Sequence, residues 1–178
     1  MFKIINFNKN SSKNFKSGFT LIELLVVVAI IGILASVTVA LLGNAKKKGE
    51  DKAITRNLYT IINQAEIFLT DNGNKYLPTG GATFSIATCP TYNASGTNML
   101  SRDKTIATAI AEAVKIGSGS SCYNSASAWA VAVGLKESAN TSWCVDSTGI
   151  SKQVPVPPSS AITASFGCNV LGIVLIDL

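Results

Sequence analysis

The longest apolar stretch of the chain runs from Phe19 to Leu42, and Glu23 is the only charged residue within it. A helix over these 24 residues would be roughly 36 Å long, because each residue adds about 1.5 Å. The hydrocarbon core of a bilayer is about 30 Å thick, and the apolar part of an ordinary secretory signal has only about 7–15 residues. The stretch therefore predicts a membrane-spanning helix near the N-terminus.

After Gly43 the pattern changes to a single apolar stripe on an otherwise polar segment. The members of the stripe recur at spacings of three and four residues: Ile54, Leu58, Ile61, Ala65 and Phe68. This spacing is typical of a helix that packs one face on its own domain. The sequence Asp-Asn-Gly-Asn at 71–74 is a helix stop, in which Gly73 suits a left-handed cap. We therefore expect one helix from Phe19 to about Asp71.

A loop and a second helix are predicted next. Residues 74–100 are rich in Gly, Pro, Ser, Thr and Asn, which indicates a loop with little regular structure. Ser101 is a candidate cap for a helix over residues 102–116, and Gly117 would end it. The run from Gly117 to Ser121 is predicted to be a turn or a short linker.

The last part of the domain predicts a small sheet. Three strand-like segments are joined by short turns: Ala126–Leu135, Thr141–Ser147 and Ile150–Val154. Such a series is typical of an antiparallel meander. The apolar run Val170–Ile176 is too short to span a membrane and predicts a final strand. The predicted fold class is α+β, with the amphipathic half of the long N-terminal helix covering one face of the sheet.

Charge is unevenly distributed along the chain, whose formal net charge is +5. The first 18 residues contain four lysines and no acidic residue, so the remainder carries 11 basic and 10 acidic side chains. A strongly basic surface for nucleic acid is therefore not indicated. We expect residues 1–18 to be a leader, 19–43 a hydrophobic helix, and 44–178 an extracytoplasmic domain that includes the second half of the long helix.

Residue types that carry catalysis or hold a metal are scarce. The chain contains no histidine, no phosphate-binding loop and no G-x-S-x-G, so the sequence does not predict an enzyme or a cofactor. The late carboxylates are Glu137, Asp146 and Asp177, too few for a calcium site that takes six to eight oxygens. No metal site is predicted.

The four cysteines, Cys89, Cys122, Cys144 and Cys168, all follow the apolar stretch and contain no C-x-x-C. An even number in an exported domain favours two disulfides, whereas free thiols in a cytosolic domain are the alternative. Four cysteines allow three connectivities, of which we favour the sequential pairs Cys89–Cys122 and Cys144–Cys168. Because lysines flank both ends of the apolar stretch, charge alone does not orient it, and the cysteines favour a domain outside the cytoplasm.

Glu23 has two possible roles that the residues alone leave open. Thr20-x-x-Glu23 matches a capping box, in which each residue satisfies the other's exposed backbone N–H at the start of a helix. A carboxylate at bilayer depth also costs about 2.5–3.5 kcal/mol and is by default a functional residue.

The sequence Gly-Phe-Thr-Leu-Ile-Glu at 18–23, followed by an unbroken apolar helix, resembles the N-terminal signal of type IV pilins and of type II secretion pseudopilins. The resemblance implies a pilin fold, cleavage by a prepilin peptidase between Gly18 and Phe19, and N-methylation of Phe19. It also implies that Glu23 meets the terminal amine of a neighbouring subunit during assembly.

The same resemblance implies a homo-oligomeric helical filament built by inner-membrane assembly machinery. The precursor would cross the cytoplasmic membrane once with its N-terminus inside, and the filament would be periplasmic or extracellular. A region similar to major pseudopilins covers Arg56–Pro78. We therefore expect a structural subunit of a pilus-like filament, with a type II secretion pseudopilin as the alternative.

A minor or competence pilin that acts as an adhesin or binds DNA is a further alternative. Four aromatic residues could supply contacts: Tyr92, Tyr123, Trp129 and Trp143. Both tryptophans lie in strand-like segments, where core positions are expected. The nearly neutral charge after residue 18 argues against unselective DNA binding, which depends on phosphate neutralisation.

Overall fold

The computed structural model describes residues 18–163 and 165–169, and the chain divides into two compact units, residues 1–41 and 42–178. The helices are α1 (Leu21–Asp71), α2 (Met99–Arg102), α3 (Lys104–Ile116) and α4 (Pro158–Ala161). The strands are β1 (Phe84–Ala87), β2 (Ser120–Asn124), β3 (Trp129–Gly134), β4 (Ser142–Asp146) and β5 (Ser151–Val154). The predicted α+β fold is confirmed, and α1 contributes to both units.

The first unit contains the apolar part of α1. Its large apolar side chains are exposed from Leu21 to Val37, because none of them packs on another part of the described chain. This helix is long and apolar enough to cross a membrane.

The second unit is built on a five-stranded antiparallel sheet whose strands follow chain order from β1 to β5. The three predicted strands are confirmed as β3, β4 and β5, each within three residues of its expected ends. Expecting only a loop over 74–100 was wrong, because β1 lies within it and pairs with β2. Expecting a linker as far as Ser121 was also wrong, because β2 begins at Ser120 and pairs with β3 along its whole length.

One face of the sheet packs on the amphipathic half of α1. The stripe residues Ile54, Leu58 and Ile61 are fully buried, and Ala65 and Phe68 continue the same cluster. From the sheet, Trp129, Val131, Val133 and Val145 join this cluster. Alternate residues of β3 point to one face, so a period of two on the strand meets a helical stripe. The predicted covering of the sheet by the helix is confirmed.

The opposite face of the sheet is covered by the segment that follows β5. Tyr123, Ala130, Ala132 and Cys144 lie on this face, and Val156, Ala161, Ile162 and Cys168 pack on them. Small side chains on β3 allow the segment to approach closely. The predicted strand at Val170–Ile176 lies outside the described residues.

Local sequence determines where α1 ends and where α3 begins. Gly73 and Asn74 both adopt left-handed backbone conformations, and the Asn74 N–H donates to the Leu69 carbonyl at 2.9 Å, which closes α1 as predicted. The cap of α3 is Asp103 rather than the predicted Ser101, because the Asp103 carboxylate accepts the Ile106 N–H at 2.9 Å. Ser101 lies inside α2, where Asn98 is the cap.

Candidate processing and assembly site

Thr20 and Glu23 form a reciprocal capping box at the start of α1. The Glu23 carboxylate accepts the Thr20 backbone N–H at 2.9 Å and the Thr20 hydroxyl at 2.7 Å. In return, the Thr20 hydroxyl oxygen accepts the Glu23 N–H at 3.3 Å. The spacing of Thr20 and Glu23 thus produces the cap that the sequence indicated, and the carboxylate has hydrogen-bond partners within its own chain.

Gly18, Phe19 and Thr20 precede the helix and are exposed. Phe19 is 84% exposed, and among the described residues, apart from the neighbours of Gly18 in the chain, no atom lies within 4 Å of the position that a Cβ on Gly18 would occupy. Gly18 and Phe19 therefore lie outside the helix, with exposed surfaces. Residues 1–17, which together with Gly18 make up the expected leader, lie outside the described residues.

The apolar surface that follows has the size of an interface. Large apolar side chains remain exposed over more than four turns, far beyond the patches that soluble monomers leave uncovered. The polar side chains within this stretch find partners in the helix itself: the Ser36 hydroxyl donates to the Ile33 carbonyl at 2.7 Å, and Thr38 to the Ala35 carbonyl at 2.9 Å. Because these hydroxyl groups are hydrogen-bonded within the helix, this part of α1 can lie in an apolar environment.

Directly after the apolar stretch, α1 holds the loop between β3 and β4. The Asp51 carboxylate accepts the backbone N–H groups of Lys136 and Glu137, at 2.6 and 3.0 Å. The Lys48 amine also lies 3.5 Å from the Glu137 carboxylate. Sequence reasoning missed this connection because no local pattern relates residues so far apart.

The structure contains two disulfides, Cys89–Cys122 and Cys144–Cys168. The first ties the segment after β1 to β2, and the second ties β4 to the segment that covers the second sheet face. Next to the second disulfide, the buried Asp146 carboxylate accepts the Cys168 N–H at 2.8 Å and the Thr148 N–H at 2.9 Å. Asp146 thus closes a turn in this structure, and among the described residues no three metal-ligating side chains cluster.

The four aromatic candidates do not form one surface. Trp129 is fully buried on the α1 side of the sheet, whereas Tyr123 is buried on the opposite side and stacks on Phe166. Trp143 is half-buried, with its indole N–H donating to the Ser151 hydroxyl at 3.1 Å, and Tyr92 is exposed. These four residues therefore do not form a shared aromatic binding site.

Asn124 is an internal residue that sequence reasoning missed. Its side chain is fully buried, accepts the Met99 N–H at 2.8 Å, and donates to the Tyr76 carbonyl at 3.1 Å. It thereby joins the end of β2 to α2 and to the turn after α1.

The turn after α1 also contains Tyr76, whose hydroxyl donates to the Glu66 carboxylate at 3.0 Å. Burial of Tyr76 raises the pKa of its hydroxyl most, and the hydrogen bond to Glu66 raises it further.

A family model described as the prokaryotic N-terminal methylation motif matches residues 13–39. This match contains Gly18, Phe19, Thr20 and Glu23, together with most of the apolar helix. In this motif and in its α+β fold the chain is similar to the class of pilin-like structural subunits.

Curated relatives agree with this class. The chain is 42% identical over 69 residues to the type IV wide pilus major component PilA4 of Thermus thermophilus, a match over 39% of this chain and 52% of that protein. It is 38% identical over 80 residues to the type II secretion system core protein G of Aeromonas hydrophila, covering 44% of this chain and 54% of the relative. For protein G of Vibrio cholerae the identity is 40% over 77 residues, covering 43% and 51%.

The chain thus spans about half the length of the curated relatives it matches. No solved structure matches it significantly. By their names these relatives are a pilus component and core proteins of a secretion system, which supports the expectation of a structural protein.

Proposed function

We propose that the protein is made as a prepilin, cleaved between Gly18 and Phe19, N-methylated at Phe19, and polymerised through its apolar helix into a pilus-like filament. The observation that carries this proposal is the exposed apolar surface of α1, which begins two residues after an exposed Gly18–Phe19 bond. A helix apolar on all sides needs lipid or other helices around it. Storage in the cytoplasmic membrane and packing in a filament both meet that need.

Transfer between those two environments leaves the burial of apolar surface nearly unchanged, so close packing and polar contacts would decide the filament's register. Glu23 is the only charged side chain in this surface. In the proposed filament its carboxylate meets the amine of a neighbouring subunit. Because Thr20 already donates to this carboxylate, the neighbour's amine would share these hydrogen bonds or replace them.

The second candidate is a pseudopilus subunit of a type II secretion system. Several relatives named core protein G support it, whereas the pilus component from Thermus supports the first candidate. Both candidates use the same processing and the same assembly helix. They differ in where the filament is found, which is outside the cell for a pilus and in the periplasm for a pseudopilus.

The test is the intact mass of the protein, measured separately in membranes and in sheared surface filaments. We expect residues 19–178 plus one methyl group in the filament fraction, and a further mass increase of about 4 Da on reduction if both disulfides form, one hydrogen for each of four sulfurs. The same processed mass confined to the cell envelope would favour the pseudopilus. A chain that stays full-length and unmethylated in a host with the peptidase would contradict both candidates.

A further inference from the structure

We propose that the base of the second unit binds anionic phospholipid headgroups through a basic collar, defined as Lys46, Lys47, Lys48, Lys52 and Arg56. This proposal rests on the membrane-spanning role given to the apolar helix above. It concerns the chemistry of the surface that meets the bilayer, and not the filament.

The collar lies where headgroups are expected. Lys46 follows Leu42, the last residue of the apolar stretch, by four positions, or roughly 6 Å along a helix. Lys46, Lys47 and Lys48 are consecutive and point in three directions around α1, while Lys52 and Arg56 extend the row from Lys48 by one turn each. Long basic side chains at the end of a membrane helix reach the headgroup region readily.

The collar also concentrates the positive charge of the exported part of the chain. Residues 44–56 contain five basic and two acidic side chains, a net charge of +3. Residues 57–178 contain six basic and seven acidic side chains, a net charge of −1. The net positive charge of the second unit is thus concentrated in the segment of α1 that follows the apolar stretch in the sequence.

The structure leaves the basic groups of the collar available. All five residues are exposed, and the side chains of Lys46 and Lys48 are 78% and 65% exposed. Within the described part of the chain, the ion pair of Lys46 is a 3.9 Å contact with Glu50 and that of Lys48 a 3.5 Å contact with Glu137, both weak surface pairs. The other nearby carboxylate, Asp51, is directed to the backbone of the β3–β4 loop.

These features fit a phosphate-bearing lipid surface. Each basic side chain near an anionic membrane contributes roughly 1 kcal/mol, about a fivefold change in binding. The attraction needs no shaped pocket, which suits side chains arranged around a helix. Binding of this kind would hold the subunit at anionic regions of the membrane until it is extracted.

The experiment uses the full chain in nanodiscs that contain phosphatidylglycerol and phosphatidylcholine in known proportion. Native mass spectrometry then gives the ratio of the two lipids retained on the released protein. The collar variant carries Lys46→Gln, Lys47→Gln and Lys52→Gln, leaving Lys48 and its contact with Glu137 intact. The control carries Lys75→Gln, Lys104→Gln and Lys115→Gln, three exposed lysines beyond the collar.

We expect the wild-type chain to retain phosphatidylglycerol preferentially, and the collar variant to lower this preference at least about fivefold. The control should keep the wild-type ratio, since both variants lose three charges and all three proteins share the same leader lysines. High salt should lower the preference of the wild-type chain and of the control. Near-UV circular dichroism should be identical in the three proteins.

Equal losses in the two variants would overturn the collar and indicate an effect of net charge. A wild-type chain that inserts normally but shows no lipid preference would overturn the collar while leaving the proposed function intact. A chain that does not enter the nanodisc would overturn the membrane-spanning segment, and with it both proposals.

Discussion

The carboxylate of Asp51 lies 2.6 Å from the backbone nitrogen of Lys136, although 85 residues separate them in the sequence. The same carboxylate accepts the N–H of Glu137. Asp51 thus satisfies two backbone donors at the start of the β3–β4 loop. It lies in the part of α1 that follows the apolar stretch. The contact fixes the loop on α1 in the way that a capping residue fixes a helix end.

Removing this contact should destabilise the second unit. We expect Asp51→Ala to lower the free energy of unfolding by about 1–2 kcal/mol, because charge-assisted hydrogen bonds are lost but the site is partly open to water. Urea unfolding of the full chain in detergent, followed by tryptophan fluorescence, measures the effect. Glu50→Gln is the matched control and should change stability by less than about 0.5 kcal/mol, since its contact with Lys46 is a surface pair. Equal effects would mean that the loop does not depend on Asp51.

Substitutions at Glu23 can separate capping from assembly. Gln at this position keeps an acceptor for Thr20, as capping boxes allow, but removes the charge, whereas Glu23→Val removes both. We expect both variants to be cleaved between Gly18 and Phe19, and neither to enter filaments. The mass of the membrane-bound chain and the amount of sheared filament are the two measurements. Normal filaments from Glu23→Gln would show that the charge is dispensable and that capping explains the residue.

Each disulfide should protect a different part of the second unit. The bonded cysteines are 33 and 24 residues apart, so the chain-entropy estimate is similar, about 3–4 kcal/mol for either bond. Cys144→Ser with Cys168→Ser should raise hydrogen exchange in residues 155–163 and in β4, because the cover of the second face is released. Cys89→Ser with Cys122→Ser should instead raise exchange in β1. The same exchange pattern in both double variants would contradict separate roles.

Alkaline pH should weaken the fold through Tyr76. Because burial and the Glu66 carboxylate raise its pKa, the folded chain retains the hydroxyl proton at a pH where the unfolded chain has lost it. The contribution of Tyr76 is therefore complete below about pH 10, the ordinary tyrosine value, and is lost as pH rises through the higher folded-state pKa. Tyr76→Phe should lower stability by about 1 kcal/mol at pH 7 and flatten the decline in stability above about pH 10. Parallel declines in the two proteins would contradict this assignment.

Local periodicity predicted α1 and the α1 side of the sheet well. Apolar residues at helical spacing from Ile54 to Phe68 allow few alternatives, and Trp129–Gly134 alternates between two faces that are both buried. The capping box of Thr20 and Glu23 could also be predicted from the sequence, because it depends on a spacing of three residues. These features are determined within one or two turns of chain.

Features that depend on distant partners were not predictable in the same way. The strand β2 reads Ser-Ser-Cys-Tyr-Asn, a composition that indicates a turn as much as a strand, and it is a strand because β1 and β3 pair with it. Asn124 has no pattern that marks it as buried, and Asp51 reaches a loop that lies beyond five intervening elements. Such contacts follow from the assembled fold rather than from neighbouring residues.

The two coverings of the sheet have a consequence for the timing of folding. Its first face can close as soon as β3 and β4 follow α1, and Cys89 meets Cys122 within that part of the chain. Its second face stays open until the segment after β5 has been synthesised and has folded, because Val156, Ala161, Ile162 and Cys168 cover it. The bond between Cys144 and Cys168 therefore forms at the last stage of folding, and until then the half-covered sheet exposes apolar side chains that favour aggregation.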